Sequence, residues 1–181
     1  MDRAEAWRLV QEHVSNRNIV KHMLAVEAVM RALARRLGEE EEGWGLAGLL
    51  HDLDYDRTRD DPPRHGPTTV EMLAGADVPA AVTDAILAHN RHKPASAPIE
   101  TALLAADPVT GLIVAAALMH PEKSLAACDA DFVVRRFGEK RFAAGADREQ
   151  IAQCREVGLE VEEFLALSLE AMTAIREELG L

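Results

Sequence analysis

The chain is short of cysteine, of aromatic residues, of basic charge and of long apolar runs, and each shortage removes a class of protein. Cys128 and Cys154 are its only cysteines. Two are too few for a disulfide framework, and their flanks lack metal-ligand spacing, so a reducing cytoplasm fits best. Aromatics make up 4% of 181 residues, while alanine and leucine abound and β-branched runs are few. That balance favours helix over strand. The longest uninterrupted apolar stretch, Gly111 to Met119, is too short for a membrane span. The opening Met1-Asp-Arg-Ala-Glu-Ala-Trp7 lacks the charged-then-apolar layout of a secretion signal. Basic residues number 20 against 31 acidic ones, a net charge of -11. Such a surface repels phosphate backbones and argues against nucleic acid as a partner, while a small anion stays admissible if a metal supplies local positive charge.

What remains is a globular composition, 48% hydrophobic and 28% charged. A chain of this length can bury a sizeable core as one domain. Its apolar periodicity reads as helix after helix with short breaks. Trp7, Val10 and Val14 predict a first helix ending near Asn16 and Asn18. Ile19, Met23, Val26, Met30, Leu33 and Leu37 recur at helical steps, and Gly38 follows as a C-cap. A third helix is expected from Trp44 to Leu53, then a polar loop from Asp54 to Arg64. Pro67, Pro79 and Pro98 suit first turns of helices near 68–73, 80–89 and 99–119, with Pro108 able to kink or divide the last. Beyond Ala130 come Phe132, Val133, Phe137 and Phe142, then helices near 148–157 and 161–179, where Ser168 and Thr173 read as solvated. No repeat, low-complexity tract or linker is visible. The expected fold is a single all-α bundle, with a polar-group-bearing core at about 18–120 and C-terminal helices at about 130–181 packed on it.

Polar groups interrupt the apolar faces at a few places. His51-Asp52 lies inside Leu46-Ala-Gly-Leu-Leu-His-Asp-Leu53. Neighbouring side chains on a helix diverge by about 100°, so the two reach one ion only if it sits over the groove between them. His22 lies on the stripe of Val26, Val29 and Leu33, His89 on that of Val82 and Ile86, and Asp107 in Ala102-Leu-Leu-Ala-Ala-Asp. His65 opens the next helix, just before Gly66-Pro67. Each has a plainer account alone: a core histidine bonded to a carbonyl, or an aspartate capping a helix before proline. Together they are buried ionisable groups with no Lys or Arg on the same stripes, and they call for another source of positive charge. A divalent cation meets that need. Ligands of nitrogen and oxygen without thiolate suit Mn, Fe, Co, Ni, Mg or Zn alike.

The order His22, His51-Asp52, Asp107 resembles the H…HD…D signature of the HD-domain superfamily of metal-dependent phosphohydrolases, with its HDIG-type predicted hydrolases the nearest branch. Val20-Lys-His-Met-Leu-Ala-Val-Glu27, Leu49-Leu-His-Asp-Leu-Asp-Tyr55, Ala85-Ile-Leu-Ala-His89, Ala105-Ala-Asp-Pro-Val-Thr-Gly-Leu-Ile113 and Lys140-Arg-Phe-Ala-Ala-Gly-Ala-Asp-Arg-Glu149 carry the resemblance over most of the chain. It implies that His22, His51, Asp52 and Asp107 hold a first metal, and that His65 and His89 hold a second with Asp52 bridging. Leu53-Asp54 stands where the name-giving motif has Ile-Gly, and Tyr55, Asp56 and Arg57 stand where other branches often carry a lysine.

The function so implied is hydrolysis of a small phosphorylated metabolite or nucleotide by metal-activated water. Asp52 and Asp54 are the candidate catalytic carboxylates, although Asp54 and Asp56 also read as loop carboxylates in water. Arg57 and Arg91 are the candidate substrate-phosphate contacts. Two other readings stay open: a di-iron oxygenase of the same superfamily, and a regulatory module in which metal only stabilises the helices. Substrate, native metal and oligomeric state are not legible in the sequence.

Overall fold

The computed structural model describes all residues from Met1 to Leu181. Eleven α-helices and three single 3₁₀ turns follow one another, without a strand. The chain starts with α1 (Arg3–His13), opened by a reciprocal cap: Asp2 accepts from the Glu5 amide and Glu5 accepts from the Asp2 amide. Asn16 caps α2 (Arg17–Leu37), and Gly38 ends it in the left-handed region at φ 75°. Its buried stripe, with Met23, Val26, Met30 and Leu33, is the one the periodicity predicts.

Glu40 caps α3 (Glu41–Leu50) by accepting from the Glu42 and Gly43 amides. This helix lies unusually close to α2. A Cβ at Gly48 would stand 2.8 Å from the Glu27 backbone, and one at Gly45 would stand 2.6 Å from the Arg31 guanidinium. Only glycine permits that approach at position 48, because the obstacle there is main chain.

The predicted third helix stops three residues early. After Leu50 the chain leaves α3 in consecutive turns through Asp54, so His51 and Asp52 sit on a bend. The expected polar loop carries α4 (Tyr55–Thr58) and a 3₁₀ turn at Pro62–Arg64, and His65 closes that turn instead of opening a helix. Pro67 takes the first position of α5 (Pro67–Met72), whereas Pro79 is the N-cap of α6 (Ala80–His89).

At the centre runs α7 (Pro98–Met119), with Pro98 in its first turn. It is long and apolar enough to cross a membrane by length and composition, yet it is the core helix here, packed against α2, α6 and the helices of the C-terminal third. Pro108 does not divide it. After a 3₁₀ turn at Leu125–Ala127 come α8 (Ala130–Gly138), α9 (Arg148–Ala152) with a 3₁₀ continuation at Gln153–Val157, α10 (Val161–Ala174) and α11 (Arg176–Leu179).

A single apolar cluster reaches from Ala6 to Leu179 and draws on α1, α2, α3, α6, α7 and α10. Ser168 departs from its reading as a solvated position. It faces inward on α10, fully buried, with no hydrogen-bond partner for its hydroxyl. Thr173 is half-buried and donates to the Leu169 carbonyl one turn back.

Candidate metal centre

Three helices, one bend and one turn bring six side chains to one place. His22 comes from α2, His89 from the end of α6, and Asp107 from the middle of α7. The bend after α3 delivers His51 and Asp52, and His65 comes from the 3₁₀ turn before α5. They fall into two groups of three, His22–His51–Asp107 and Asp52–His65–His89, the donor atoms of each lying within 4.8 Å of one another. Asp52 faces both. Its Oδ1 lies 3.2 Å from His65 Nε2, 3.5 Å from His51 Nε2 and 3.9 Å from His89 Nε2, and its Oδ2 lies 3.7 Å from His22 Nε2. Asp107 Oδ1 is 3.2 Å from His22 Nε2.

All four imidazoles are tethered from behind through Nδ1. His51 Nδ1 donates to the Gly48 carbonyl at 2.8 Å, and His89 Nδ1 donates to the Ile86 carbonyl, in each case one helical turn back. His65 Nδ1 donates to Asp54 Oδ1 at 2.8 Å. His22 Nδ1 meets the Thr110 hydroxyl at 3.0 Å, and that hydroxyl spends its own proton on the Asp107 carbonyl at 2.9 Å. Carbonyls only accept, so Nδ1 of His51 and His89 must carry the proton and their Nε2 lone pairs point inward. Nε2 of His51 then lies 3.2 Å from Nε2 of His22, and Nε2 of His89 lies 3.3 Å from Nε2 of His65. Lone pairs so close repel unless positive charge, either a proton or a cation, stands between them. No Lys or Arg pairs with Asp52 or Asp107. The donor set, four inward Nε2 atoms and two carboxylates with each imidazole held by a partner behind it, fits a divalent cation.

Protons occupy this charge deficit in the cation-free chain. Burial pushes the His22 imidazole down, but the hydrogen bond and charge of Asp107 and the charge of Asp52 outweigh it, and its pKa lies above the ordinary value. Burial likewise opposes the His65 cation, yet Asp52 and Asp54 raise it to about 10. His89 is pushed down to about 4, chiefly by burial and then by the neighbouring His51. Burial works against the charged forms of Asp52 and Asp107, but the surrounding imidazoles hold both well below the usual carboxylate range.

Access is uneven. His51 is fully buried and the Asp52 side chain is 10% exposed, whereas those of His22, His65 and Asp107 are 23%, 20% and 36% exposed. A cavity of about 350 Å³ opens onto this edge between His22, Asp107, Gly111 and Ala143, and another of about 520 Å³ lies on the far side of His22.

The remaining candidates lie elsewhere. Asp54 is no loop carboxylate in water; it is fully buried. Its Oδ1 accepts from His65, and its Oδ2 accepts from the Gly66 amide at 2.8 Å and the Thr69 amide at 3.1 Å. Those bonds lower its pKa against burial and hold its carboxylate against Nδ1 of His65. Asp56 is exposed and accepts from the Ser15 amide and hydroxyl. Arg57 is exposed beside His13 at 3.4 Å, and Arg91 is exposed 3.6 Å from Asp147, so neither side chain pairs with the cluster. Sequence reasoning passed over Thr110, Thr69 and the carbonyls of Gly48 and Ile86. Thr110 alone carried a signal, one helical turn after Asp107 on the same inward stripe.

An all-helical fold that gathers imidazoles and carboxylates around a shared, charge-deficient centre defines a class of metal-binding helical proteins. Within that class the chain matches the HD domain family over residues 19–131, well over half its length and inclusive of all six clustered side chains, and it belongs to that family. HD domains bind divalent metals, and the family marks a metal-dependent, hydrolase-type superfamily. No curated protein and no solved structure matches the chain.

Proposed function

We propose that this protein is a phosphohydrolase that acts on a small phosphorylated metabolite or nucleotide with the help of one or two divalent cations. The observation that carries the proposal is the position of the Asp52 carboxylate between two groups of inward Nε2 donors, with the wall open at His22 and Asp107. His22, His51, Asp52 and Asp107 would hold one ion, and Asp52, His65 and His89 a second. A divalent cation there lowers the pKa of bound water and polarises a phosphoryl oxygen.

The chain's own residues do the rest. Thr110, Gly48, Ile86 and Asp54 fix the four imidazole tautomers, so the donors need no rearrangement when an ion arrives. Asp107 is the more exposed of the two carboxylates and borders the 350 Å³ cavity beside His22, so it forms the side of the centre that an incoming phosphate would meet first. Burial of His51, Asp52 and His89 keeps bulk water from competing at the inner face.

Metal analysis of anaerobically purified protein, followed by a panel of phosphate esters with Mn, Co and Mg, tests this. Phosphate release that disappears in His51→Ala and Asp52→Ala is the expected result. Bound iron with oxygen uptake and no phosphate release would replace the reading with oxygen chemistry. Thermal stabilisation by metal without turnover of any ester would leave a regulatory module.

A further inference from the structure

The two cavities beside His22 share more than that residue: both are lined by Gly111 of α7. Gly111 lies one turn after Asp107 in the longest helix, where glycine weakens the helix relative to alanine. Nothing in the fold demands it. Its φ lies outside the left-handed region, and a Cβ built there meets no atom within 4 Å. Any side chain at 111 would instead stand in the space between the cavities, one turn from the Asp107 carboxylate.

A second, independent feature lies on the same side. Five cations of this chain are not fully exposed: Lys21, Arg31, Lys93, Arg136 and Arg148. Arg31 is bound by Glu27 and Glu42, Lys93 by Glu100 and Asp84, and Arg136 by Glu139. Arg148 donates to backbone carbonyls. Lys21 alone has neither an ion pair nor a hydrogen bond, in a protein whose net charge is -11. It borders the 520 Å³ cavity with Ala25, Val114, Leu118 and Leu179. Its Nζ lies beside Gly180, 3.0 Å from where a Cβ there would stand, at the edge of that cavity. An ammonium without an ionic partner at the rim of a mostly apolar space suits a ligand with an apolar body and an acidic end.

We infer that the space over Gly111 is the subsite for the non-reacting part of the substrate, which is a phosphate ester with an apolar or aromatic body and a second acidic group held by Lys21. This assignment rests on the hydrolase reading for the position of the phosphate, beside His22 and Asp107. The groove then measures the body of the ester, and Lys21 selects an ester that carries a second acidic group over one of the same shape without it.

Calorimetric titration of the manganese-loaded full chain with inorganic phosphate and with the uncleavable phosphonate analogues of phenyl phosphate and 4-carboxyphenyl phosphate tests it without relying on turnover. The parent is expected to bind the three in rising order, each step about tenfold. In Gly111→Leu the preference for the phenyl analogue over phosphate collapses, and in Lys21→Ala only the further preference for the carboxylated analogue does. Gly111→Ala serves where leucine prevents folding. It is expected to raise the thermal midpoint by helix propensity while lowering the preference for the phenyl analogue, and a purely structural glycine would not show that pairing. Equal affinity of the parent for all three probes, or unchanged preferences in the variants, overturns the inference. The rising order, with no cleavage of either phosphate ester, leaves the subsite standing and removes the hydrolase reading.

Discussion

Asp54 shows how much one buried carboxylate decides here. It belongs to neither group of candidate metal-holding side chains, yet it accepts the hydrogen bond from Nδ1 of His65 and is itself fixed by two amides from the start of α5. Asp54→Asn keeps an acceptor for that proton and removes its charge. Metal affinity is expected to fall about 10- to 100-fold, the usual cost of losing a partner behind a ligand. The His65 pKa should drop from about 10, because Asp54 is one of the two carboxylates that raise it. Titration with manganese and histidine-resolved NMR at several pH values check both parts. A different kind of residue is Ser168, a buried hydroxyl with nothing to bond. Ser168→Ala removes a desolvated group without opening a cavity of note, and it should stabilise the fold by about 1 kcal/mol in urea unfolding. The sequence offered no hint of that burial, since a serine beside glutamates reads as surface unless the neighbouring helices are known.

Among the helices, the pair α2 and α3 sets the site, because one carries His22 and the other ends at His51. Their close approach depends on Gly48, whose carbonyl also orients His51. Gly48→Ala therefore sets two effects against each other. Alanine favours the helix by up to about 1 kcal/mol, but a Cβ pressed against the Glu27 backbone costs about 1–3 kcal/mol. The clash wins, since main chain cannot step aside. Loss of stability and of metal affinity together is the expected outcome, read by thermal unfolding with and without manganese. The long elements were legible because their apolar stripes persist over several turns, as in α2 and α7. So were the four inward polar positions His22, His51, Asp52 and Asp107, which the fold brings to one place, because each interrupts an apolar face with a costly polar group. The bend at His51–Asp54 was not legible, because a helix end without glycine or proline leaves no local mark. The placement of Arg57 and Arg91 was not legible either, for a related reason. Closeness in sequence to a ligand says little about direction once a turn intervenes, and both side chains point to partners away from the cluster.

At the scale of the whole molecule, the site couples protons, metal and folding. His65 has a folded pKa of about 10 against an ordinary 6.5. Its contribution to stability is complete below about pH 6.5 and is lost as pH rises through 10. His89 runs the other way, at about 4 against 6.5, so its contribution is complete above about 6.5 and is lost as pH falls through 4. In the cation-free protein the two overlap near pH 6.5, and these groups give a thermal midpoint that peaks there and declines on both sides. A bound cation takes the place of the His65 proton at Nε2, so the apparent metal affinity should climb with pH up to about 10, each displaced proton contributing up to tenfold per pH unit. Loading then lifts the alkaline limb of the stability curve more than the acid limb, because stabilisation follows the ratio of free ion to dissociation constant. Thermal scans of the chelated and manganese-loaded chain from pH 4 to pH 9 measure this directly. The asymmetry should vanish in His65→Gln, which has no proton to exchange for the ion. A loaded curve parallel to the chelated one across that range would mean that the cation is held away from His65, and the second group of ligands would lose its assignment.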